Sequence, residues 1–188
     1  MAVTTEVAFE TDREFEVVDG EPEEKEMAGA RHGGVTARLI GKLVLHVETN
    51  FLGGIYTPDT SFQIGRNERL PDIAFVSAER LPEDGEPEGM WMIEPDLAVE
   101  VISPNDLWEK VSSKVRNYFA AGVRQVWLVS PEQQTITIYH SPTHTTILTA
   151  DDELSSEEIL PGFRCRVGEI FQPSALRRQS QKDESDFQ

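Results

Sequence analysis

Apolar residues along this chain recur at two different periods, and the changes of period mark where strands give way to helices. Residues 14–19 (Glu-Phe-Glu-Val-Val-Asp) read as a short strand, and Asp19-Gly20 supplies a turn ahead of an acidic stretch. From Gly34 to about Val47 the positions Val35, Leu39, Leu43 and Val47, with Ile40 and Val44 alongside, follow helical spacing. Gly53-Gly54 breaks that pattern. Ile55-Tyr56, Ser61-Phe62-Gln63-Ile64 and Asp72 to Val76 then read as strands separated by Pro and Gly turns, and residues 79–90 as an acidic loop. The run Pro95-Asp96-Leu97-Ala98-Val99-Glu100-Val101-Ile102 is almost continuously apolar, the mark of a strand covered on both faces.

That run stops at Ser103-Pro104. Asp106, followed by Glu109, resembles a capping box for a helix whose apolar stripe is Leu107, Val111, Val115, Tyr118 and Phe119, ending at Gly122. Gln125 to Val129 reads as the next buried strand, Thr135 to Tyr139 as a more exposed one, and Thr145 to Leu148 as its partner. The succession predicts a strand–helix crossover within one α/β domain over residues 14–172, between an N-terminal arm (1–13) and a polar C-terminal tail (173–188).

One residue disturbs this scheme. Glu100 interrupts the most apolar strand, and a buried carboxylate is costly unless a cation or hydrogen bonds compensate it. Alternation puts Asp96, Ala98, Glu100 and Ile102 on one face and Leu97, Val99 and Val101 on the other. Asp72 opens another strand, so if the two strands pair, both carboxylates converge on a point suited to magnesium or manganese. At about 100° per residue, Lys114 projects from the edge of the following helix's packed stripe and can reach back over the Glu100 strand.

Net charge changes the picture of what such a site could act on. The formal charge is −17, which works against affinity for a phosphate backbone. It is unevenly spread: residues 1–27 hold ten acids against two bases, residues 79–100 eight against one, and residues 151–158 five against none. The rest of the chain is mildly basic. Cys165 is the only cysteine, which excludes an intramolecular disulfide and a cysteine zinc site. No apolar run is long enough for a membrane span and no signal sequence is evident, so a cytoplasmic location is expected. His46, His140 and His144 lack metal-ligand spacing, and Trp91, Trp108 and Trp127 read as core or interface residues and not as a base-stacking platform.

Taken in order, Arg69-Leu70-Pro71-Asp72-Ile73-Ala74-Phe75-Val76, then Pro95 to Pro104, then Lys114 with Tyr118, Ala121-Gly122-Val123 and Val126-Trp127-Leu128-Val129 resemble the Uma2 family of endonucleases. The resemblance runs from about Phe15, through Asp19-Gly20-Glu21 and His32, to about Phe171. It implies a restriction-endonuclease-like (PD-(D/E)xK) fold, a mixed β-sheet flanked by helices, often as a homodimer. Asp72 and Glu100 map to its metal-binding acids, and the backbone carbonyl of Val101 to a third metal donor. The usual lysine two residues after the second acid is absent, since Ile102 stands there, and Lys114 from the following helix takes its place. Glu21 is the candidate for an auxiliary acid, and His32 matches the family pattern as a possible helper.

The resulting expectation is a magnesium- or manganese-dependent endonuclease that hydrolyses DNA phosphodiester bonds with Asp72, Glu100 and Lys114 as its catalytic residues. The alternative from a different class is an inactive nuclease-fold binding or assembly module, which the acidic charge favours. Hydrolysis of a small nucleotide or phosphoester at the same site is a third, less favoured reading.

Overall fold

The computed structural model describes residues 15–25, 29–103 and 106–176. The expected arm over 1–13, Pro104 and most of the expected tail lie outside the described residues. Six strands form the central sheet in the order β10-β9-β8-β7-β6-β3: β3 (Gly53–Tyr56), β6 (Ile73–Ser77), β7 (Leu97–Val101), β8 (Gln125–Ser130), β9 (Thr135–Ser141) and β10 (His144–Leu148). Only β7 and β8 run parallel, because α2 (Trp108–Ala121) crosses between them. The other neighbours are antiparallel, so the sheet is mixed, as expected.

Alternation along β7 divides the interior in two. Leu97, Val99 and Val101 face α1 (Ala30–Thr49), where Val35, Leu39, Leu43 and Val47 are fully buried on its apolar stripe. This core continues into the β11 (Glu153–Ser156) and β12 (Leu160–Arg166) hairpin and the short α3 (Gly168–Phe171) through Leu160, Phe163 and Ile170. Ala98, Val126 and Leu128 face the other way, against Val115 and Tyr118 of α2. Each such aliphatic side chain contributes roughly 1.5–3 kcal/mol on burial. Cys165 is buried in the first core, where desolvation raises its thiol pKa to about 11.

A second, four-stranded sheet, ordered β2-β1-β5-β4, lies beside the first: β1 (Phe15–Val18), β2 (Glu21–Glu24), β4 (Phe62–Ile64) and β5 (Asn67–Arg69). It carries β1 to the edge of the central sheet, which matters for the site below. No described helix is long and apolar enough to cross a membrane.

Three expectations are corrected. The sequence pattern missed β5, β11 and β12, whose short apolar positions are interrupted by charged and turn residues. Asp106 is no capping box: α2 starts from Leu107 without a side-chain cap, and the Asp106 carboxylate instead accepts a 2.7 Å bond from the Ser103 N–H, a local turn that competes with capping. Leu107, placed on the helix's packed stripe, and Trp108, read as core or interface, are 65% and 67% exposed: Leu107 is the N-cap, with extended backbone outside the helical phase, and Trp108 is the first residue of α2. Trp91 and Trp127 are buried, as expected.

Two glycines show how backbone conformation constrains the scaffold. Gly53 sits at φ 147°, and a Cβ there would lie 2.0 Å from the Val76 carbonyl oxygen, so β3 can lie against β6 only without a side chain. Gly41 lies within α1 with open space around it. Gly53→Ala is therefore expected to destabilise the protein by about 1–3 kcal/mol or more. Gly41→Ala is expected to stabilise it by up to about 1 kcal/mol. Urea midpoints compared under identical conditions check both signs.

Candidate active site

Asp72 immediately precedes β6. The antiparallel register that pairs Ile73 with Val99 and Ala74 with Ala98 puts Asp72 opposite Glu100 one step further along. Asp72 Oδ2 accepts the Val101 N–H at 2.7 Å and lies 3.2 Å from His32 Nε2 in the first turns of α1. Its Oδ1 faces Lys25 Nζ at 3.6 Å. Lys25 is held in place by the Pro58 and Leu70 carbonyls, at 3.2 and 2.9 Å.

Glu100 points to the α2 side of the sheet, where the helix's inward row meets it. Tyr118 donates its hydroxyl to Glu100 Oε1 at 2.5 Å, and Lys114 Nζ lies 3.0 Å from Oε2. The lysine is shared: its ammonium is also 2.8 Å from Glu16 Oε1. Glu16 comes from β1, accepts the Leu70 N–H at 3.0 Å, and binds Arg69 Nη1 through Oε2 at 2.9 Å. Arg69, Glu16, Lys114 and Glu100 thus form a line of alternating charge.

The structure brings Asp72, Glu100, Val101, Lys114 and His32 together. It leaves Glu21 outside, exposed on the edge strand β2 opposite Val18. The acid that β1–β2 delivers is Glu16, and its signal was present: an acid between Phe15 and Val17 in a short apolar strand, the same disturbance that singled out Glu100. Lys25 left no such trace, since only tertiary folding brings it to Asp72. Asp96, read as the start of a strand, is buried and accepts the Ser77 N–H at 2.8 Å, with Arg80 at 3.3 Å. The remaining histidines serve elsewhere: His46 bonds the Pro161 carbonyl, and His140 bonds Gln125 and Thr146 with His144 against it.

Environment sets the protonation of each group. Burial pushes the Glu100 carboxyl up, against the pull of Lys114, and the negative charges of Asp72 and Glu16 help carry it to about 7. Burial also works to raise Glu16 and Asp72, yet both are held below the ordinary carboxylate value. Lys114, the Leu70 N–H and Arg69 do this for Glu16, and His32, Lys25 and the Val101 N–H for Asp72. Lys114 is desolvated, but its two carboxylates keep it firmly protonated. Tyr118 stays a neutral donor because burial and the neighbouring carboxylates raise its pKa well above normal.

The donor chemistry suits a hard divalent cation, with two carboxylates and the Val101 backbone where β6 begins and β7 ends. Among the described residues no three His, Cys, Asp or Glu side chains converge at metal spacing. Asp72, Glu100 and Val101 would therefore hold such an ion together with water or substrate oxygens, as magnesium commonly requires.

His32 has a raised pKa, chiefly through its hydrogen bond to Asp72, with the Val101 carbonyl also favouring the protonated ring. Its Nδ1 has no hydrogen-bond partner of normal geometry. The stabilisation it contributes is complete below the unfolded value of 6.5 and is lost as pH rises through the higher folded value. In metal-free buffer, denaturant midpoints of the wild type should therefore fall more steeply as pH rises above 6.5 than those of His32→Gln. Parallel curves would exclude a charged His32–Asp72 pair.

Residues 4–168 match the profile of the Uma2 family, described as "Putative restriction endonuclease". Among solved structures, the chain is similar to a crystal structure titled as a "putative nuclease belonging to DUF820" from Anabaena variabilis ATCC 29413. The TM-score is 0.77 at 21% identity, over 86% of this chain and 91% of that one, a likeness of fold. No curated protein matches the sequence. A family profile spanning most of the chain, on a mixed sheet flanked by helices, places this protein in the Uma2 family.

Proposed function

We propose that this protein is a metal-dependent endonuclease that hydrolyses DNA phosphodiester bonds at Asp72 and Glu100, where β6 begins and β7 ends in the central sheet. The observation that carries the reading is the opposition of these two carboxylates across β6 and β7, with Lys114 at 3.0 Å from Glu100. A chain read as a nuclease by family needs negative charge for a cation and positive charge for a phosphate in one place, and this end of the two strands has both.

Asp72, Glu100 and the Val101 carbonyl are the proposed holders of magnesium or manganese, which when bound would activate water and polarise the phosphate. Lys114 supplies a fixed positive charge for the negative charge that develops on the phosphoryl oxygens. Glu16, braced by Arg69, positions that ammonium from the opposite side, and Tyr118 orients the Glu100 carboxyl. His32 and Lys25 hold Asp72 ionised. In the overall reaction, water oxygen bonds to phosphorus and the P–O3′ bond breaks, leaving a 3′-hydroxyl and, by family resemblance, a 5′-phosphate.

The second reading, a nuclease fold retained as a binding or assembly module, is favoured by the net charge of −17. Metal titration separates the two. Asp72→Ala and Glu100→Ala are expected to abolish both manganese binding by calorimetry and cleavage of single-stranded, duplex and branched DNA. Lys114→Ala should keep metal binding and lose about a hundredfold or more in cleavage. Glu16→Gln should impair cleavage and Glu21→Ala should leave it unchanged. A wild-type protein that binds no metal and cuts none of these substrates would establish the module reading instead.

A further inference from the structure

The carboxylate oxygens of Asp72 and Glu100 are not equally engaged. Glu100 Oε1 accepts the Tyr118 hydroxyl, and Oε2 faces Lys114 Nζ at 3.0 Å. Asp72 Oδ2 accepts the Val101 N–H at 2.7 Å and lies 3.2 Å from His32 Nε2. Asp72 Oδ1 alone makes no hydrogen bond among the described residues, and the group that faces it is the Lys25 ammonium at 3.6 Å. The oxygen most open to a cation thus already has one beside it.

Lys25 does not depend on that carboxylate for its place. It is the only base between Arg13 and Arg31 and follows the exposed acidic strand β2, yet its side chain is only 19% exposed. Its Nζ donates to the Leu70 carbonyl at 2.9 Å and to the Pro58 carbonyl at 3.2 Å. Both acceptors are neutral, so they fix the ammonium without cancelling its charge. An ammonium has three donors, and the third is left for another acceptor.

The charge count points the same way. Glu16, Asp72 and Glu100 carry at most three negative charges, and Lys25, Arg69 and Lys114 stand among them with three positive ones. The cluster is balanced before any divalent ion arrives, so such an ion would bring charge that nothing matches. One ammonium beside a divalent ion lowers its affinity about tenfold even with the screening of water. A phosphodiester supplies negative charge and, in its nonbridging oxygens, acceptors for both the ion and the remaining donor of Lys25.

We propose that Lys25 couples the metal to the substrate: it holds down the affinity of the substrate-free site for a divalent cation, and its remaining N–H binds the scissile phosphate, so that ion and phosphodiester bind together. The inference rests on the nuclease reading for its substrate class, and metal affinity tests it apart from cleavage.

The experiment is calorimetric titration of the full chain with manganese, alone and in the presence of dimethyl phosphate, a phosphodiester that carries no base. Lys25→Met is expected to bind manganese alone about tenfold more tightly than the wild type. Lys25→Gln, which keeps a donor for the backbone carbonyls, should do the same, and Lys25→Arg, which keeps the charge, should stay near the wild type. Dimethyl phosphate should tighten manganese binding in the wild type and do so less in Lys25→Met. Loss of a purely structural contact would loosen the site and weaken binding, so the direction of the change decides. Manganese should likewise raise the urea midpoint of Lys25→Met more than that of the wild type at equal concentration. Manganese binding no tighter in Lys25→Met and Lys25→Gln than in the wild type, or an undiminished effect of dimethyl phosphate, overturns the proposal and leaves the nuclease reading to the Asp72 and Glu100 variants. Tighter manganese binding with a diminished phosphate effect, in a protein that cuts no DNA, would keep the coupling and remove the nuclease reading.

Discussion

A carboxylate placed inside an apolar strand must be compensated where it lies, and Glu100 imposes that condition on everything around it. β7 is covered on both faces, so removing the partners of an ionised side chain there would cost about 3–5 kcal/mol. The structure meets the condition from α2: Lys114 and Tyr118 stand one turn apart on the row that faces β7, and both bond the same carboxyl group. The lysine in turn needs more negative charge than one carboxylate with a raised pKa offers, and Glu16 provides it. Glu16 needs Arg69. The fold of the second sheet is therefore tied to the demands of a single residue in the first.

The same arrangement leaves the site balanced and poised. Glu16 and Asp72 are held ionised by their neighbours, whereas Glu100 lies near neutrality in its proton affinity because burial and two nearby anions outweigh its lysine. Groups whose proton affinities are pulled apart in this way by burial and specific charge partners cluster at functional sites. Asp96 makes the contrast. It is as buried as Asp72, but the Ser77 N–H, Arg80 and Arg124 surround it from its own sheet and loops, at the opposite end of β7 from the cluster. Two carboxylates on one strand thus divide into one that ties loops together and one that belongs to a candidate site. Family membership and fold leave the reaction to be argued from the site itself.

Charge distribution also separates this protein from dedicated DNA binders. Part of the acidic excess falls in the 79–90 loop, whereas Arg69, Lys114 and Lys25 sit among Glu16, Glu100 and Asp72. Those cations are engaged internally, so they organise acids and leave no basic stripe on the surface.

The sequence by itself determined the elements whose side-chain periods are long and regular. α1, α2 and the strands β7, β8 and β9 were legible because Val35, Leu39, Leu43 and Val47, or Leu97, Val99 and Val101, repeat an unbroken pattern. It also marked Glu100 and Asp72, since an acid within or at the head of an apolar strand contradicts its surroundings, and helical phase placed Lys114 beside them. Tertiary structure decided the rest. It chose Glu16 over Glu21, because the pairing of β1 with β5 turns Glu16 toward Leu70 and Arg69 and leaves Glu21 on the exposed edge strand. It brought Lys25 and His32 to Asp72 across 47 and 40 residues of chain, contacts that no local pattern encodes. It exposed Trp108, the first residue of α2, whose burial the apolar character of an indole does not by itself decide. Local periodicity records which face of an element is buried, but which faces meet, and where one element ends against another, follows from packing the whole chain.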